Sequence, residues 1–550
     1  TPVALTIVFA LSGSLLLSLT VIPVLASYLL KALPHREPWL PRWLHRRYEP
    51  ILRWSLGHPR WVLGGAVAAF AIAAVLYLQI GKTFMPVMDE GDIVIQTEKL
   101  PSINLAESVR LDLAIQRALM QVPEVERVVS RVGSDEIGLD PMGLNETDHF
   151  LVLKPREEWT VPDKAALIDE LRQVMRRFPG IVFGFTQPIQ MRVTEMLTGV
   201  RGDVAIKLFG DDLATLNRTA ERIAEVVSRV PGAVDVATRR NEGMQFLEAV
   251  IDRSAAGRFG VDVDTLARLL RAQIEGLRLG VVQEGIQRTP LLLRGPVDPD
   301  RVRALTVTLP DGRTVPLTEV ARLEPREGVV AVERERGLRY AVVRANVRGR
   351  DLVGFVEEAK RRVAEEVALP TGYFLEWGGQ FENQQRAARR LALVVPAAVG
   401  LIFLLLFSTF ASVRQALLVL GNIPLALIGG VVALWLSGEY LSVPASVGFI
   451  ALLGIAVLNG VVLVSHFNQL RALGTSMEAV VVQGAMRRLR PVLMTASIAA
   501  FGLVPLLFAT GPGSEIQRPL AIVVIGGLVS STALTLIVLP ILYRRFGGEP

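Results

Sequence analysis

No cysteine occurs among the 550 residues, so neither a disulfide nor a thiolate metal ligand is possible. No segment matches GxxxxGK[ST], which removes the glycine-rich phosphate cradle of ATP-driven proteins. HExxH is absent too, and the five histidines, His35, His45, His58, His149 and His466, include no spaced metal-binding pair. Charge is missing from seven stretches, 4–30, 61–80, 391–411, 416–437, 443–466, 491–510 and 520–542, none of which contains Asp, Glu, Lys or Arg. Roughly 20 apolar residues match the thickness of a bilayer. Each stretch is apolar along its whole length and not on one stripe only, as lipid or a bundle interior demands. A set of buried core helices in a soluble protein would need more polar chain around them than the short loops after residue 411 supply. The reading is a polytopic membrane protein.

The charge that is present reports orientation. The net charge of +6 is no nucleic-acid signal, because the surplus sits in particular loops. Loop 31–60 carries Lys31, Arg36, Arg42, Arg46, Arg47, Arg53 and Arg60 against Glu37 and Glu49. Loop 467–490 has Arg471, Arg487, Arg488 and Arg490, the loop 412–415 has Arg414, and the tail has Arg544 and Arg545. Counting spans puts all four on one side, which the positive-inside rule makes cytoplasmic. Residues 82–390 and the loops 438–442 and 511–519 then lie outside. Thr1 begins outside at the start of a span, with no initiating Met, charged n-region or cleavage site before it. The chain is therefore read as the C-terminal part of a longer protein.

Along the chain, the organisation reads as a span at 1–30, a cytoplasmic amphipathic segment at 31–60, and a span at 61–80. Exterior α+β subdomains follow at 81–253, with an inserted subdomain at 254–330 and the exterior remainder at 331–390. Five spans at 391–543 and a tail at 544–550 complete it. Within 35–58, Leu44, Tyr48, Ile51 and Leu52 recur at helical spacing among arginines, with Trp43 and Trp54 as interfacial anchors and Pro41 and Pro50 as imperfections. Outside, a strand–helix–strand unit repeats four times, each helix ending at a proline turn. The units are "DIVIQTEKL", helix 103–121, Pro123, "VERVVSRV"; "HFLVLKP", helix 162–177, Pro179, "IVFGFTQP"; "DVAIKLFG", helix 211–229, Pro231, "AVDVATRR"; and "RYAVVRANV", helix 351–367, Pro370, "YFLEWGG". Proline cannot continue a helix and favours an extended residue before it. Split β-α-β units pair into ferredoxin-like layers. In the insert, a helix is expected at 264–275 and a hairpin in "VTLPDGRTVPLTEV", turning at Asp311-Gly312.

Polar groups inside the spans are few: Asn422, Asn459 and Thr495 are the candidates for a buried cluster. They can organise hydrogen bonds, but none titrates near neutral pH, and helix packing alone would also account for them. Outside, His149 reads as a strand-edge residue in "ETDHFLVL". Glu195 is more pointed. In "MRVTEMLTGVRGDVAIKLFGDD" (191–212) it stands among Val193, Met196 and Leu197 ahead of a strand. It either holds a cation or faces water beside buried neighbours. Met191 and Met196 flank it, and Met is commonly core filling.

Longer segments carry a resemblance. "RRLRPVLMTASIAAFGLVPLLFATGPGSE" (487–515), "GFIALLGIAVLNGVVLV" (448–464) and "GKTFMPVMDEGDI" (81–93) resemble resistance-nodulation-division (RND) efflux transporters. "HFLVLKPREEW" (149–159), "TEMLTGVRGDVAIKLFGDD" (194–212) and "GGQFENQQRA" (378–387) are similar to the heavy-metal efflux branch. The similarity runs the whole chain in order, covering the C-terminal half of such a pump from its sixth span onward. It implies an α-helical polytopic bundle carrying a large periplasmic α+β domain of repeated ferredoxin-like βαβ subdomains, with 254–330 as a docking-type subdomain. It also implies a homotrimer in a Gram-negative inner membrane, surrounded by membrane lipid, with a periplasmic adaptor protein and an outer-membrane channel as partners. Such a protein is a cation/proton antiporter and not an enzyme, with no bound cofactor and no nucleic acid. The divalent metal ion and the protons are its cargo. The family's proton-binding aspartates lie in a span this chain lacks. Drug-exporting members have a lysine where this chain has Leu458, next to Asn459, and Thr495 matches the family's relay threonine. Asn459 and Thr495 are thus the expected proton-relay neighbourhood. Copper and silver exporters have methionine at the position of Glu195, and a carboxylate suits divalent cations better. The resemblance makes Glu195 the expected ligand of the transported metal. The alternatives are a drug or amphiphile exporter of the same fold and a non-transporting membrane scaffold whose exterior domain binds a partner.

Overall fold

The structure, a computed structural model, describes every residue except 1, 30–38, 87, 135–141, 199–201, 239–241, 275, 296–303, 310, 510, 512 and 548–550. Side chains of 2–4, 6, 7, 40, 41, 194–198 and 274 are likewise not described. Among the described residues six helices are long and apolar enough to cross a membrane, and a bent pair makes up to seven. That pair is α1 (Pro2–Leu19) and α2 (Val21–Leu29), bent by 42°. Pro23 explains the break, since its ring clashes with the carbonyl four residues back, at Leu19, where α1 ends. The same rule divides α13 (Val413–Leu420) from α14 (Asn422–Leu436): Pro424 points back to Leu420.

Between these, α3 (Trp39–Gly57) runs through Pro50 without ending. Its Tyr48, Leu52 and Leu56 are buried in the main membrane core, and the Tyr48 hydroxyl donates to the Leu536 carbonyl at 2.6 Å. Trp43 and Trp54 stay exposed. Helix α4 (Pro59–Gln79) then leads into the exterior region. Helices α12 (Gln380–Phe410), α15 (Val443–Ala472), α16 (Met477–Leu507) and α17 (Ser514–Phe546) complete the bundle. Small residues let α14 and α17 cross closely, because a Cβ at Gly429 would collide with the Gly526 carbonyl.

Outside, the four repeated units pair into two layers. The first sheet has the order β2-β3-β1-β4, from β1 (Ile93–Glu98), β2 (Val125–Val132), β3 (Glu146–Leu153) and β4 (Val182–Thr186), all antiparallel. Helices α5 (Leu105–Leu119) and α6 (Lys164–Met175) cover one face, and Ile93, Ile95, Ile115, Leu119, Leu167 and Leu171 seal that core. The second layer repeats the plan with β5 (Val204–Phe209), β6 (Ala233–Thr238), β14 (Leu338–Val347) and β15 (Phe374–Gly379) under α8 (Leu213–Ser228) and α11 (Leu352–Glu366), and the short β13 (Arg334–Glu335) extends it beside β14. Each of the four helices starts on an Asn or Asp cap, at Asn104, Asp163, Asp212 and Asp351, whose side chain accepts a first-turn N–H. Such a cap stabilises by about 1 kcal/mol.

The insert is built on a long ribbon, β7 (Glu242–Ile251) against β12 (Ala321–Val329). Ala249, Ile251 and Ala321 belong to its core with Leu266 and Leu317. The ribbon thus packs with the segment expected as the insert at 254–330. The insert also holds α9 (Arg253–Arg258), α10 (Val263–Ile274) and the hairpin β8 (Leu277–Glu284)–β9 (Gln287–Leu293). Beyond these, β10 (Thr306–Thr308) pairs with β11 (Thr314–Pro316), and the turn between them closes through Leu309 N–H to the Arg313 carbonyl at 2.7 Å, with Gly312 at φ +86°.

Candidate functional site

Between the two exterior layers lies a cleft of 530 Å³. Its position follows from the strand register. On one face, β1 and β3 meet their helices, and on the other face Glu98 reaches across to Arg344 of β14 at 3.0 Å. Arg172 of α6 pairs with Asp235 of β6 and lies over the Phe185 ring at 4.9 Å. These two ion pairs join the layers.

The segment 81–93 anchors the cleft to the membrane. Lys82 N–H donates to Asp351, the cap of α11, and the Lys82 carbonyl accepts from Val353 N–H. Further on, the Glu90 carboxylate accepts from Ile189 N–H (2.5 Å) and Gln190 N–H (2.7 Å), capping α7 (Pro188–Thr198) with charge at the positive end of the helix. Lys164 donates to Asp89 (2.8 Å) and to the Gln187 side chain (2.7 Å). Burial lowers the Lys164 ammonium to about 8. Arg156, from "KPREEW", also pairs with Asp89. Two of the sequence segments that carried the resemblance, 81–93 and 149–159, thus converge here.

Glu195 lies on α7, one helical turn after Met191, and its side chain is outside the described residues. Met191 is buried in the cleft wall. Val193, expected to crowd the acid, is exposed (46%), because its position on α7 turns away from Met191. Sequence reasoning missed a different carboxylate. Of the three carboxylates that line the cleft among the described residues, Asp89 and Asp235 are ion-paired and Asp203 is not. Asp203 accepts from Val347 N–H (3.1 Å) and the Gln380 amide (3.0 Å). Burial pushes its carboxyl up to about 6, the Arg348 charge opposes that, and Asp235 adds to it. Asn346 links the two acids, accepting from Asp203 N–H and donating to the Asp235 carboxylate, each at 3.2 Å. The available signal was "RGDVAIKLF", where a lone acid opens a buried strand. Gln380, the first residue of α12, ties Asp203 to a 31-residue helix that continues into the bundle.

Among the described residues no three His, Cys, Asp or Glu side chains converge as a metal cluster. His149 is not at a strand edge: β3 is a central strand, and the ring is fully buried. Ser130 lies 2.6 Å from Nδ1, and Asp112 lies 3.5 Å from Nε2. Burial holds His149 down at about 4, so it is a neutral core group.

In the bundle, Thr495 of α16 donates to the Asn459 side chain of α15 at 3.4 Å and also to the Val492 carbonyl at 3.0 Å. Asn459 and Asn422 are buried, whereas Leu458 is exposed (56%). The structure therefore brings Asn459 and Thr495 together and sets Asn422 against Gly460.

Comparison with known proteins agrees with the fold. The AcrB/AcrD/AcrF family model matches residues 1–547. The cobalt-zinc-cadmium resistance protein CzcA of Cupriavidus metallidurans is 42% identical over 556 residues, which is 99% of this chain and 52% of that protein. The nickel and cobalt resistance protein CnrA of the same organism is 40% identical over 566 residues, covering 100% of this chain and 53% of that one. A crystal structure of a heavy metal efflux pump, form I, superposes with a TM-score of 0.85 at 39% identity, covering 98% of this chain and 54% of the other. The chain spans about half the length of the curated relatives it matches. With a membrane bundle, two ferredoxin-like layers and these relatives, the chain belongs to the AcrB/AcrD/AcrF family of RND proteins, in its heavy-metal efflux branch.

Proposed function

We propose that this chain forms part of a pump that exports divalent heavy-metal cations from the cell envelope by proton antiport. The observation that carries the reading is the cleft and its Asp203. A partly buried carboxylate without an ion-pair partner gains most from a cation brought to it, and oxygen ligands suit divalent ions better than the soft ions that thioethers select. Glu195, on the helix that walls the cleft, supplies a second oxygen ligand in this reading. The relatives named for cobalt, zinc, cadmium and nickel support the same ion class. In the bundle, Asn459 and Thr495 form the neighbourhood through which protons pass, with the titrating acids supplied from outside this chain.

The assembly belongs to the proposal as well: a homotrimer in the inner membrane, working with a periplasmic adaptor and an outer-membrane channel. The β8–β9 hairpin supports a protein partner. Leu279, Val281, Ile286, Leu292 and Leu293 are all exposed on it, and an uncovered apolar ribbon is a pairing surface.

The test uses the full-length pump in a metal-sensitive strain. Glu195→Gln and Asp203→Asn keep size and remove charge, so zinc and cobalt resistance falls at equal expression and equal trimer yield. Unchanged divalent resistance in both variants refutes the cleft as the metal site. Loss of silver resistance alone refutes the ion class.

A further inference from the structure

The Asn459–Thr495 contact leaves other buried polar groups in the bundle unused. Both polar atoms of the Asn422 side chain, the amide nitrogen of Asn459 and the hydroxyls of Ser531, Thr532 and Thr535 are buried, and none has a hydrogen-bond partner among the described residues. Helices of this same chain shield all of them.

Neighbouring contacts fix their depth. A Cβ at Gly527 of α17 would collide with Leu452 of α15, and Tyr543 of α17 donates to Asn468 of α15 at 2.7 Å. Both pairs are offset by 75 in sequence (527 − 452 and 543 − 468). The same offset sets Thr535 level with Gly460 and Ser531 level with Ala456. Gly527, Ser531 and Thr535 follow at four-residue steps, so they form one stripe of α17. From α14, Asn422 packs so closely on Gly460 that a Cβ there would strike its amide nitrogen. From the far side of α15, Thr495 reaches Asn459. Four helices therefore contribute polar groups to one layer.

Leaving a buried amide or hydroxyl unpaired forfeits its full desolvation cost, and the hydrocarbon around a bundle supplies no partner. The occupant must both donate and accept, since amides and hydroxyls do both. A neutral occupant is favoured, because the spans of this chain contain no Asp, Glu, Lys or Arg to balance a charge. Water meets both conditions. We propose that the layer between α14, α15 and α17 binds ordered water, and that this water extends the Asn459–Thr495 contact into a proton path. The second clause rests on the proton-driven reading above, and the first does not.

The test compares wild type with Thr535→Val and Ser531→Ala in the full-length pump in lipid nanodiscs, by cryo-electron microscopy at a resolution that shows ordered water. Water density bonded to Asn422 and Thr535, displaced in Thr535→Val, is the expected result. A dry layer whose side chains bond one another or helix carbonyls overturns the site. Density that depends on sodium in the buffer overturns water as the ligand. In proteoliposomes, both variants transport metal severalfold more slowly under a proton gradient, with metal binding to the exterior region unchanged. A hydrated layer with undiminished transport overturns the path. If the wild-type pump ignores the gradient, the driving-force reading fails and takes the path with it, while the density still decides the water site.

Discussion

Beneath the first exterior layer, the Lys99 ammonium is sealed from solvent and donates to Asp112, Ser108 and Thr147, each at 2.7 Å. In the membrane bundle the Asn422 side chain is equally buried, carries no charge, and has no hydrogen-bond partner among the described residues. The exterior layers admit charge wherever a full set of partners can be assembled from a strand, a helix and a neighbouring strand. The bundle excludes charge and keeps a few neutral groups instead. The physical reason is the alternative open to each group. A charge in an α+β layer that loses its partner can still be reached by water, whereas one in hydrocarbon cannot. The cleft lies between these regimes: Asp89 and Asp235 are paired, and Asp203 is held by neutral donors alone.

The comparison breaks most severely at Lys99. Replacing Asp112 with Ala leaves a buried ammonium uncompensated and destabilises the first layer by about 3–5 kcal/mol. Thermal unfolding of the full pump should show it. The pair replacement Lys99→Met with Asp112→Leu recovers most of that loss; an equally unstable double variant would mean that the charges themselves hold the layer together.

Asp203 should show the next largest effect, through pH. Its folded-state value of about 6 lies above the ordinary 3.8, so the folded protein favours the protonated form. The stability this group contributes is fully present below 3.8 and is lost as pH rises to about 6. The span corresponds to about 3 kcal/mol at most. Relative to Asp203→Asn, wild type therefore gains stability as pH falls through that window. Parallel melting-temperature profiles for the two proteins would contradict it.

In the bundle, Gly526→Val tests the close crossing of α14 and α17. The added side chain meets Ala433 and the Gly429 backbone and should cost about 1–3 kcal/mol. Hydrogen exchange should rise in α14 and α17 with the exterior layers unaffected. The smallest effect belongs to Arg344→Met. Its partly exposed pair with Glu98 is worth about 1 kcal/mol or less, and the change should loosen the two layers against each other without unfolding either. Labels placed on β1 and β14 would report a broadened distance distribution.

Much of the architecture was legible in advance because it depends on local chemistry. Uncharged runs mark spans, and Pro123, Pro179, Pro231 and Pro370 mark the ends of the repeated helices. The caps that begin these helices, Asn104, Asp163, Asp212 and Asp351, came to light only in the structure. The pairing of these units into ferredoxin-like layers follows once the repeat is seen. The Asn459–Thr495 proximity came from the family resemblance, since nothing in their spacing of 36 residues requires it.

What the sequence by itself determined is the alternation of apolar spans with strand–helix–strand units, because bilayer thickness, helix caps and proline geometry act within a few residues. Tertiary structure alone decided which polar groups meet. His149 reads the same at an edge or in a central strand, and sheet order made it a buried neutral group. Asp203, Asp235, Arg172 and Asn346 come from four separate segments, and the stacking of one layer on the other pairs Arg172 with Asp235 while Asp203 keeps neutral hydrogen-bond donors. Burial and pairing of charge depend on contacts across more than a hundred residues, such as Asn346 with Asp203, and no local pattern encodes them.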